Sequence, residues 1–95
     1  MDVYKIPVAK KPEMEKILAM DEVFRLSITI KDSSILGEDG YQYLILEGIE
    51  DRLKIARSEL TKISVEIDGS KAKKVQEIVE KEREAANESF GSIFG

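Results

Sequence analysis

The chain contains no cysteine, no histidine and no tryptophan. Without cysteine there is no disulfide framework, no thiolate nucleophile and no sulfur-ligated metal. Without histidine, Ser-His-Asp triads, imidazole acid–base chemistry and His-ligated zinc are excluded as well. No apolar run approaches the roughly eighteen residues of a membrane-spanning helix. Lys5, Lys10, Lys11 and Glu13 interrupt any signal-peptide core, so a cytoplasmic location and no membrane partner are expected. The glycine patterns G-x-x-x-x-G-K-S/T and G-x-G-x-x-G are absent, which removes the usual phosphate cradles. No cofactor and no metal are expected.

What is present points to a small folded unit. The chain has 95 residues, 42% of them hydrophobic and 36% charged, with a formal net charge of −4. That length suits one α+β domain over residues 1–95. The net negative charge disfavours bulk affinity for nucleic acid or an anionic membrane.

The clearest strand pattern is Phe24 to Ile30, where Phe24, Leu26, Ile28 and Ile30 alternate with Arg25, Ser27 and Thr29. Asp32 to Gly40 carries turn chemistry, and Tyr41 to Leu46 reads as a second strand of a long hairpin. From Ile49 the period changes. Ile49, Leu53, Ala56, Leu60 and Ile63 fall at helical spacing, with Glu50 and Asp51 in the first turn. Ile63, Val65 and Ile67 alternate again as a short strand. Asp68-Gly69-Ser70 then turns into a long helix, with Ser70 as its expected N-cap and Ala72, Val75, Ile78 and Val79 on one stripe. Val3 to Val8 reads as a strand, and Glu13 to Met20 as a short helix after Pro12.

The order β-α-β-β-α-β-α predicts a ferredoxin-like β-α-β-β-α-β core. It would be a four-stranded antiparallel sheet of order 4-1-3-2 with an additional long C-terminal helix. Two helices cover one face of such a sheet, expected to bury Phe24, Leu26, Ile28, Ile30, Leu44, Leu46, Val65 and Ile67. The opposite face would present Val3, Lys5, Val23, Arg25, Ser27, Thr29, Tyr41, Tyr43, Ile45, Ser64 and Glu66. An apolar middle of that kind demands a cover. The last helix, a second copy of the chain or a ligand could each supply it. Arg25, Tyr41, Tyr43 and Ile45 are therefore the candidate binding surface. Phe90, Ile93 and Phe94, in the tail 90–95, are spaced i, i+3, i+4 and form a candidate docking or flexible end.

Gly40-Tyr41-Gln42-Tyr43-Leu44-Ile45-Leu46 resembles the longer aromatic signature of the RNA-recognition motif, carried on the third strand of this same topology. The resemblance implies stacking of single-stranded RNA on Tyr41 and Tyr43. Asp39 stands where that family has Lys or Arg, Gln42 where it has a small residue, and Leu46 where it has an aromatic. Gly37-Glu38-Asp39-Gly40 is similar to the GxxG loop of KH domains, but its two carboxylates repel phosphate. Read as a calcium loop from Asp32, the segment has Leu36 and Tyr43 at ligand positions. Glu47 and Glu66 are the only carboxylates placed for acid–base work.

The leading expectation is a small non-catalytic interaction or regulatory module, self-associating through the open sheet face or the C-terminal helix. Its partners would be a second copy or an unidentified protein. The alternative is a single-stranded RNA-binding domain, and the third reading is a carboxylate-dependent enzyme.

Overall fold

A computed structural model describes the backbone of residues 1–94 and the side chains of residues 1–86. Strand β1 (Asp2–Pro7) leads through a 3₁₀ turn into α1 (Lys11–Leu18) and a single-turn α2 (Asp21–Phe24). Strand β2 (Ser27–Asp32), a second 3₁₀ turn (Ser33–Leu36) and β3 (Tyr41–Glu47) follow. Helices α3 (Glu50–Leu60) and α4 (Gly69–Phe94) complete the order. The strands form one antiparallel sheet of order β1-β3-β2.

Side-chain parity divides the sheet into two faces. Even-numbered residues of β1 and β3, with Ile28 of β2, point toward α1, α2 and α3. Tyr4, Ile6, Leu44 and Leu46 meet Met14, Ile17, Val23, Leu26, Leu53, Ala56 and Leu60 there. The α3 contribution falls on the spacing its sequence predicts, and its acidic first turn complements the helix dipole. Odd-numbered residues point the other way. Tyr43 and Ile45 are buried against Val75 and Val79 of α4, with Val3, Ile35, Leu36 and Ile67 at the margin. The sheet is therefore the middle of three layers, and α4 is the cover its second face requires.

The four-stranded, ferredoxin-like sheet expected from the sequence is not found; three strands are paired. The segment expected as strand four makes one isolated bridge, Val65 to Lys5, in which the Val65 N–H donates to the Lys5 carbonyl at 2.8 Å. The physical reason is length. The chain turns through Thr61 to Ile63 after α3 and enters α4 at Gly69, leaving no room for a longer ladder. The alternating isoleucines also separate. Ile63 packs with the α1–α3 core and Ile67 with the α4 core, while Val65 is 40% exposed.

The start of β2 is corrected too. Asp21–Phe24 coils into α2 rather than extending. This extra turn buries Val23 completely and leaves Phe24 62% exposed, reversing the two assignments. From Leu26 onward the predicted facing is observed, but Ile30, expected to be buried, is 44% exposed because it sits on the edge strand. At the head of α4, Asp68 rather than Ser70 takes the capping role. Its carboxylate accepts from the Ser70 N–H at 3.2 Å, and its carbonyl from the Ala72 N–H at 3.0 Å.

Candidate functional site

The sequence-derived surface residues do not form one open patch. Tyr43 and Ile45 are 0% and 1% exposed, shut beneath α4. Tyr41 is half-buried, and its ring carries the Lys5 ammonium 4.3 Å from the centroid. Arg25 is exposed at the C-terminal end of α2. The side chains of Phe90, Ile93 and Phe94 lie outside the described residues. Glu47 is held by Arg83 at 2.6 Å, which keeps its carboxyl below the ordinary range. Glu66 is exposed. Among the described residues no cluster of three or more carboxylates is arranged to hold a metal ion.

Three ion pairs among the described residues fasten α4: Lys31 with Glu82, Lys71 with Glu38 and Arg83 with Glu47. Glu38, in the β2–β3 connection, accepts from Lys71 at 2.8 Å, from Lys5 at 3.3 Å, and from the Tyr43 hydroxyl. The Lys71 hydrogen bond, then that of Tyr43, pulls the Glu38 carboxyl from its ordinary 4.5 to about 2. Burial, reinforced by Glu38, raises the Tyr43 phenol. The sequence shows Glu38 only as a loop carboxylate. Its role depends on a tyrosine five residues later and a lysine on α4, which proximity in sequence alone does not reveal.

Among the described residues the outer edge of β2 has no strand partner. Hydrogen-bond phase identifies which of its groups face outward. Lys5 bonds outward to Val65, so Tyr4 bonds inward to Leu44. Tyr43 and Ile45 then bond toward β2, opposite Lys31 and Thr29. The N–H and C=O groups of Ile28 and Ile30 therefore project from the far side of β2. No strand pairs there among the described residues. The six-residue register with β3 runs without a bulge, and β2 contains no proline. Its one lysine, Lys31, is turned onto the α4 face and paired with Glu82. The usual devices that blunt an exposed edge are thus missing or occupied elsewhere. Ile30, at this edge, is 44% exposed.

No family profile matches the chain, and neither the curated proteins nor the solved structures yield a match. No helix among the described residues is long and apolar enough to cross a membrane.

Proposed function

We propose that this chain is a non-catalytic interaction module that accepts an extended polypeptide strand along the free edge of β2. The observation that carries this reading is the outward-facing backbone of Ile28 and Ile30, beside an isoleucine side chain that is 44% exposed. An added strand would satisfy those donors and acceptors and shelter Ile30. Backbone pairing supplies the affinity of such an interface, and alternate side-chain positions supply its specificity. Self-association follows the same route when the added strand is β2 of a second copy. The sheet face expected to serve that purpose is occupied by α4.

The test is amide hydrogen exchange at Ile28 and Ile30. Exchange is measured in dilute protein, in concentrated protein, and with a synthetic peptide of the Ser27–Asp32 sequence. Protection that rises with concentration or with peptide supports strand addition. Ile30→Pro removes an outward N–H without breaking a bond to β3, so the fold should persist and the protection should vanish. Free exchange of both amides under all three conditions overturns the reading.

A further inference from the structure

A second surface lies on the other side of the molecule from α1 and α3, and it is independent of the β2 edge. The 3₁₀ turn Ser33–Leu36 is a built element rather than a loose loop. Asp32 accepts from the Ser34 N–H at 2.8 Å, and the buried Ser33 hydroxyl donates to the Glu38 carbonyl at 2.9 Å. Gly37 closes the turn in the left-handed conformation, with φ of 71°. The turn sets Ile35 and Leu36 beside α4. Between them and Ile78 lies an open groove of about 430 Å³. All three side chains are only partly buried, so the floor is aliphatic and still reaches solvent.

The rim of this groove has the opposite sign to the whole chain. Lys71, Lys74 and Lys81 border it against one carboxylate, Glu77. Lys71 is engaged by Glu38. Lys74 and Lys81 have no carboxylate within salt-bridge distance among the described residues. On a chain of net charge −4, a greasy floor bordered by three lysines and one carboxylate is a local inversion. It complements a ligand that is both anionic and aliphatic.

We infer that the groove docks a short acidic segment of a partner protein, with a leucine or isoleucine seated over Ile35, Leu36 and Ile78 and carboxylates meeting Lys74 and Lys81. The chemistry disfavours nucleic acid: the floor offers no aromatic face for a base, and Glu77 opposes a run of phosphates. The shape favours a peptide over a single-chain lipid, because the groove is open along α4 and does not enclose an acyl chain.

The experiment is amide and methyl chemical-shift titration of the intact protein. Three probes are compared: a blocked hexapeptide of glutamate and leucine, its lysine-for-glutamate counterpart, and sodium decanoate. The acidic peptide is expected to shift Ile35, Leu36 and Ile78 in a saturable, salt-sensitive manner, and the basic peptide to leave them unmoved. The double variant Lys74→Glu, Lys81→Glu changes only exposed positions and should weaken the acidic peptide at least tenfold. The inference is overturned if the acidic peptide moves none of these residues at millimolar concentration. Equal binding by the basic peptide, or affinity untouched by the double variant, also overturns it. Saturable binding of decanoate without the acidic peptide would assign the groove to a lipid carboxylate and reject a peptide occupant.

Discussion

The Nζ of Lys71, in the first turns of α4, lies 2.8 Å from Oε2 of Glu38, whose other oxygen accepts from the Tyr43 hydroxyl. One carboxylate thus ties the covering helix, the central strand and, through Lys5, the first strand. Because its folded value is depressed from 4.5 to about 2, its contribution to stability is complete above about pH 4.5. That contribution is lost as pH falls through about 2. Glu38→Gln removes the charge at every pH. The stability gap between the variant and the parent, read by urea denaturation, should be widest above pH 4.5 and close toward pH 2. A gap that does not change with pH would contradict this account.

The grip of α4 on the sheet rests on two valines. Val75 and Val79 are 0% and 2% exposed, packed on Tyr43 and Ile45. Val79→Ala should cost roughly 2 kcal/mol, combining lost burial with the cavity left behind. Chemical denaturation gives the cost, and hydrogen exchange should show faster opening of α4 than of α3.

Gly48 joins β3 to α3 with φ of 156°, and a β-carbon there would stand 2.4 Å from Cδ2 of the buried Leu26. Gly48→Ala combines backbone strain with overpacking and should destabilise by about 1–3 kcal/mol. Gly37→Ala, with φ of 71° and open space around it, should cost only about 1 kcal/mol. A thermal melt of both variants ranks them.

Gln42 has a buried side-chain oxygen with no hydrogen-bond partner among the described residues. It shares its sheet face with Leu44 and faces Ile6 across the β1–β3 ladder. Gln42→Met keeps the length and removes the unsatisfied group, so a gain of about 1 kcal/mol is expected in urea unfolding. A loss of stability would show that the amide has a role beyond filling space.

Strand β2 and the apolar stripe of α3 were legible from the spacing of their apolar residues, and β1 from its alternation; β3 was legible as an unbroken aromatic and aliphatic run, which is buried on both faces. Two things were not. Val23 and Phe24 fit an extended pattern, yet both lie in the single turn of α2, a tertiary choice that outweighs a two-residue signal. Ile63, Val65 and Ile67 alternate well enough for a strand, but the connection into α4 allows one bridge and sends the isoleucines to different cores. The need for a cover over Tyr43 and Ile45 was readable from their parity. That α4 supplies it was one of three options, decided by Val75 and Val79 meeting them. The predicted order already placed the strand containing Ile28 and Ile30 outermost. Its significance emerged only with the hydrogen-bond phase, which depends on Val65 reaching Lys5.

That lone Val65 contact also has a consequence for assembly. It engages the middle of the β1 edge at Lys5, whereas no strand pairs with the outer edge of β2 among the described residues. A ribbon open at both margins can recruit copies without limit and grow into fibres. A ribbon with a single open margin is saturated after one addition. Under the proposed strand addition, the β2 edge would then join one partner strand rather than seed a growing array.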